Sequence, residues 1–247
     1  MFRERVRRAI HHVDRLNTAL QWNFHILRRT YSVPGPNSLW HIDGNHKLIK
    51  WKFVIHGGID GYTRMIVHFK CNNNNCARTV LQNFMQATTA HFVPSRVRCD
   101  YGGENIEVAK FMLATRGFNR GSILTGSSVH NQRIERLWRD VFQRVTGTFY
   151  KLFSEMEEID ILNPLNIVHI YCLHYIFLPR IQNALDMFMS AWNHHPISGE
   201  KIYLLYNYLL KGTHKLLQNG KVAEDFFAII DVEEYGTVII IVIDLET

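Results

Sequence analysis

Apolar side chains recur at Val6, Ile10, Val13, Leu16, Leu20, Phe24 and Leu27, in steps of three and four that trace one face of a helix. Arginines fill the other sides, so the pattern predicts one or two basic helices over 3–29. The helix cannot run through Val33-Pro34-Gly35-Pro36-Asn37, because a proline holds the residue before it extended. A boundary is expected there. Beyond it, runs of apolar and β-branched residues at 39–43, 51–59 and 63–69 read as strands, with Gly57-Gly58 as a bulge and Asp60-Gly61 as a hairpin turn. Helical and strand patterns then alternate: helix 77–92, strand 96–100, helix 105–116, strand 122–125 and a long helix 131–156. Two helical stretches follow, near 164–178 and 180–194. Strands joined by hairpins and then strands alternating with helices predict an α/β fold, a mixed sheet with helices on its faces. From about residue 201 the chain is less regular and ends in β-like sequence that the pattern does not place.

Length and charge refine this picture. A chain of 247 residues holds one substantial domain plus appendages. A core of about 150 residues buries roughly 68–70% of its unfolded surface and needs no staple. The net charge of +6 favours a polyanionic partner. Its distribution is uneven: residues 1–30 carry seven arginines against Glu4 and Asp14, whereas residues 220–247 carry seven acids against Lys221. Four irregularly spaced cysteines read as reduced thiols in an intracellular protein, and Cys71 and Cys76 lack the second ligand pair of a zinc site. The start has no apolar stretch of a secretory signal, and the run 238–243 is too short to span a bilayer. No membrane association is expected.

Three acids carry the candidate chemistry. Asp43 closes the run Trp40-His41-Ile42-Asp43, and Asp100 opens Asp100-Tyr101-Gly102-Gly103-Glu104-Asn105. Glu135 stands 35 positions after Asp100, within Asn131-Gln132-Arg133-Ile134-Glu135-Arg136. Aspartates at strand ends of an α/β sheet reach the crevice where ligands bind, and a glutamate in the first turns of a helix can meet them there. Carboxylate oxygens suit Mg²⁺ or Mn²⁺, and two such ions clamp an in-line displacement at phosphorus. Asp60 and Glu104 are decoys: a hairpin turn accounts for the first, and orientation of the loop or DNA contact for the second. Gly102 and Gly103 have the freedom for positive φ and close backbone approach.

Residues 33–200 resemble the catalytic core of the retroviral and retrotransposon integrase family, within the RNase H-like nucleotidyltransferases. The likeness rests on His41-Ile42-Asp43, Ile59-Asp60-Gly61-Tyr62-Thr63-Arg64, Arg98-Cys99-Asp100-Tyr101-Gly102-Gly103-Glu104-Asn105 and the segment around Glu135. It is nearest to integrase cores derived from eukaryotic transposable elements. The resemblance implies that Asp43, Asp100 and Glu135 form a triad holding two Mg²⁺ or Mn²⁺ ions with DNA bound. It also implies processing and joining of DNA ends, by a homo-oligomer. Residues 1–32 would form a basic helical segment and 201–247 a tail. His11-His12 has no partnering cysteine pair, and the tail is acidic where a DNA-binding end would be basic.

Asn131, Gln132, Arg133, Arg136 and Lys47 are the expected DNA contacts, since phosphates are met by basic and small polar side chains. Trp138 and Phe142 follow Glu135 at helical spacing and are expected to pack the core. A chromosomal substrate would place the protein in the nucleus. Two other readings fit the same acids: a domesticated or degenerate core that binds nucleic acid without catalysis, and a nuclease acting on RNA–DNA hybrids.

Overall fold

A computed structural model describes residues 5–6, 31–126, 131–194, 212–215 and 218, together with the backbone of 229–230 and 240–241. The chain divides into two compact units, Met1–Ser32 and Val33–Thr247. Of the first, only Arg5 and Val6, both helical, and the last two residues are described. The remainder of the helix expected over 3–29 lies outside the described residues.

The second unit is built on a five-stranded sheet. Its strands are β1 (Trp40–Asn45), β2 (Val54–Asp60), β3 (Ile66–Asn72), β4 (Val97–Cys99) and β5 (Ile123–Thr125). Their spatial order is β3-β2-β1-β4-β5, with β1, β2 and β3 antiparallel and β1, β4 and β5 parallel. This is the mixed α/β sheet that the hydrophobic pattern predicts. The glycine pair does mark a bulge, because the β2–β3 register shifts between Gly58 and Ile59. Every residue of β2 is buried, since both faces of the sheet are covered.

One face packs against α1 (Ala77–His91) and α2 (Ile106–Arg116), burying Trp40, Ile42, Phe84, Val108 and Met112. The other packs against α3 (Gln132–Val141), α4 (Gly147–Glu158) and α5 (Ile167–Asn193), burying Trp51, Phe53, Phe69, Leu137 and Phe153. A two-residue hairpin, β6 (Ile229–Ile230) with β7 (Ile240–Ile241), forms a separate sheet from the β-like tail.

Helices α3 and α4 follow one path, joined by a π turn over Phe142–Thr146. The sequence explains the turn. Val141, Val145, Phe149 and Phe153 are four apart, wider than the 3.6 residues of an α-helix, and a wider turn keeps them on one core. Gly147 leaves the turn where a Cβ would stand 2.5 Å from the Phe142 carbonyl oxygen.

One expectation is corrected. The stretches 164–178 and 180–194 are a single helix, α5, running through Pro179. Proline removes one backbone donor and strains the turn before it. Here Pro179 and Tyr175, four residues earlier, both face solvent. Water can satisfy the freed carbonyl while buried Phe177 and Ile181 hold both halves to the sheet. Among the described residues no helix is long and apolar enough to cross a membrane. The four cysteines are unpaired.

Candidate active site at the ends of the central strands

Asp43 and Asp100 reach the same end of the sheet by strand register. Parallel β1 and β4 pair His41 with Arg98, and each acid stands two residues further along its own strand. Neighbouring strands lie about 4.8 Å apart, so the acids emerge side by side. Glu135 lies in the first turn of α3, exposed, on the helix that crosses the face of β1 carrying Asp43.

Burial pushes the Asp43 carboxyl up to about 6. The Trp138 hydrogen bond opposes that rise, whereas the negative charges of Glu135 and Asp100 add to it. Glu135 and Asp100 thus both lie within electrostatic reach of Asp43. Asp100 is held differently: its Oδ1 accepts from the Gly102 backbone N–H (3.1 Å) and the Asn105 side-chain amide (2.9 Å). Gly102 has φ −63°, so its conformational freedom is not used. A Cβ there would meet only the movable end of the Glu104 side chain.

Two side chains of the Glu135 segment grip β1. Trp138 Nε1 donates to Asp43 Oδ2 at 2.8 Å. Asn131 Nδ2 donates to the Ile42 carbonyl at 3.0 Å, and His41 Nδ1 meets Asn131 Oδ1 at 2.6 Å. Burial lowers His41 to about 4, so its ring is neutral near pH 7. Asn131, expected to touch DNA, is instead buried and spends both ends of its amide inside the protein. Gln132, Arg136 and Lys47 are exposed, and Arg133 is half-buried. Arg136 forms a long ion pair with Asp140 at 3.8 Å.

Sequence reasoning missed Trp138, Asn105 and His41. Trp138 does pack the core as expected, stacked on Phe69 with ring centroids 5.5 Å apart, whereas Phe142, expected there too, is exposed because it sits on the outer side of the π turn. The contact of its N–H with an acid 95 positions away carried no local signal. Asp60, the decoy, is fully enclosed: Oδ1 accepts from the Asn37 backbone and Oδ2 from the Thr63 backbone and hydroxyl.

The donor chemistry of the three acids suits a hard divalent cation, and the charge crowding on Asp43 is what such an ion would relieve. Their spacing is open. Among the described residues no three His, Cys, Asp or Glu side chains stand close enough to hold one ion.

The fold is that of an integrase core. The chain matches the integrase core domain family over residues 30–219 and belongs to it. Among solved structures it resembles the catalytic core domain of HTLV-2 integrase, in complex with magnesium in a trimeric form. The identity is 14%, covering 72% of this chain and 99% of that one, with a TM-score of 0.49. It also resembles a chain of the simian T-cell lymphotropic virus intasome in complex with PP2A regulatory subunit B56 gamma. There the identity is 15%, covering 73% of this chain and 57% of that one, with a TM-score of 0.50. No curated protein matches.

Proposed function

We propose that this chain is a metal-dependent DNA nucleotidyltransferase of integrase type, in which Asp43, Asp100 and Glu135 hold Mg²⁺ or Mn²⁺. Membership of the integrase core family supports the reaction class, since its members are in general polynucleotidyl transferases. The observation that carries the residue assignment is the juxtaposition of Asp43 on β1 and Asp100 just past parallel β4, with Glu135 on α3 also within electrostatic reach of Asp43. Bound ions would supply charge neutralisation at phosphorus and activation of the attacking hydroxyl.

The chain's own groups do the rest. Asp100, fixed by the Gly102 backbone and Asn105, and Asp43, held by Trp138 and the Gly44 backbone, are kept in place on neighbouring strands. Glu135 approaches from α3. A DNA 3′-hydroxyl attacks a phosphodiester, forming a new P–O bond as the old P–O3′ bond breaks, and the attacking hydroxyl's proton leaves to solvent. Gln132, Arg133 and Arg136 flank Glu135 on α3 and Lys47 is exposed just past β1, and all four are side chains of the kind that would meet phosphates.

Two DNA ends imply more than one copy of the chain, and a chromosomal target implies the nucleus. The parts would divide as a basic segment 1–32, a core 33–200 and a tail 201–247. A second reading, a core that binds DNA without joining it, is favoured by one observation: the open spacing of the acids. Strand transfer on a short duplex with Mg²⁺ or Mn²⁺ separates the two. A joined product that disappears in Asp100→Asn and Glu135→Gln supports the enzyme. Salt-sensitive DNA binding with no product supports the binding protein.

A further inference from the structure

We propose that Trp138 is the positioning residue that aims Asp43: its indole N–H holds Oδ2 and so fixes how the carboxylate is presented to the cation. This rests on the reading of Asp43 as a metal-holding acid. The hydrogen bond, 2.8 Å long, joins β1 to the helix that carries Glu135, three residues before Trp138. One side chain therefore fixes the orientation of one acid and the distance to the helix of another.

The indole is itself fixed. It is buried, and it stacks on Phe69 with an interplanar angle of 30°. Gly57, across β2, leaves the slot it fills: a Cβ there would stand 2.7 Å from the far edge of the indole ring and 2.6 Å from Phe69. An indole has one donor and no acceptor, so it holds a carboxylate oxygen in one sense only and cannot rotate away as a hydroxyl can. Asn131, two helical turns earlier, makes the companion tie to the Ile42 carbonyl, adjacent to Asp43. Hydrogen bonds that orient metal-binding side chains typically account for 10–100-fold in affinity.

Trp138→Phe keeps a ring in the slot and removes only the donor. Mn²⁺ binding, read from the resonance of free Mn²⁺ in solution, should weaken about 10–100-fold in Trp138→Phe and vanish in Asp43→Asn. Unchanged binding in Trp138→Phe with loss in Asp43→Asn overturns the positioning role and leaves the metal site standing. Binding indifferent to Asp43→Asn overturns both.

A second measurement does not depend on the folding of Trp138→Phe. Among the indole N–H resonances of the wild-type protein, the one displaced by Asp43→Asn belongs to Trp138. That resonance should shift on adding Mg²⁺ to the wild type and stay still in Asp43→Asn. No shift in the wild type at Mg²⁺ concentrations that saturate binding contradicts the proposal.

Discussion

The β1–β2 pair carries two aspartates, half-buried Asp43 within β1 and buried Asp60 at the end of β2, and the contrast between them separates structure from chemistry. Burial pushes both Asp43 and Asp60 up to about 6. Around Asp60, backbone and hydroxyl donors close every direction: Asn37, Thr63 twice, and the Tyr62 backbone. Nothing is left for a ligand, and the carboxylate ties the β2–β3 turn to the segment before β1. Around Asp43 there is one side-chain donor, Trp138, and the Gly44 backbone, while two further acids press their charge on it. A buried carboxylate ringed by donors builds a turn. A half-buried carboxylate crowded by other carboxylates is poised for a cation. The raised pKa does not distinguish the two; the access to solvent and the identity of the neighbours do.

The largest expected effect breaks the Asp60 side of this contrast. Asp60→Ala strands the Asn37 and Thr63 donors and should cost about 3 kcal/mol in denaturant unfolding, since each buried donor left unpaired costs ~1–3 kcal/mol. A cost under about 1 kcal/mol would mean that water replaces the carboxylate, and Asp60 would lose its structural role.

The pH dependence sharpens the comparison. Both aspartates have folded values raised above the ordinary 3.8, so their contribution to stability is full below 3.8 and is lost as pH rises through about 6. The buried histidines act in the opposite sense. His68, with Nδ1 unpartnered, is lowered from 6.5 to about 3 by burial. Its contribution is full above 6.5 and is lost as pH falls towards 3. His41, lowered to about 4, behaves alike. His68→Phe should therefore flatten the acid limb of stability against pH by up to about 1.4 kcal/mol per pH unit, measured by urea melts between pH 6.5 and 4. An unchanged slope would show that His68 is not held neutral.

The smallest effect concerns the surface beside Glu135. Arg136 is exposed and its pair with Asp140 is long, so Arg136→Ala should change stability by less than about 0.5 kcal/mol. DNA affinity should fall, and the salt dependence of binding should lose about one phosphate contact. A normal salt dependence would remove Arg136 from the DNA path.

The sheet was legible because its signals are local. The glycine pair, the Asp60-Gly61 turn and the alternation of periods predict the strands, the bulge and the helices without reference to distant residues. The acids were legible as candidates from their local motifs, although β1 runs two residues past Asp43 to Asn45 where the pattern ends the strand at the acid. What was not legible depends on residues far apart in sequence. Asn131 looked like an exposed polar residue at a helix start, yet β1 lies directly against it and buries it. Trp138 has core spacing, and only the passage of α3 across β1 turns its N–H towards Asp43. Pro179 carries a strong local stop signal that Phe177 and Ile181 override by anchoring both sides of it.

Thermal melting of the wild type and Asp43→Asn at pH 7.5, with and without Mn²⁺, tests the central claim most directly. At that pH Asp43 is ionised in both folded and unfolded chains, and its raised folded value makes the charge a cost to folding. Asp43→Asn should melt higher than the wild type without metal, by on the order of 1 kcal/mol after allowance for solvent screening. Mn²⁺ should raise the wild-type melting temperature and leave Asp43→Asn unmoved, because only the crowded acids give the ion differential affinity for the folded state. Equal responses of the two proteins to Mn²⁺ would contradict the account, because the ion would then be bound somewhere other than the ends of β1 and β4.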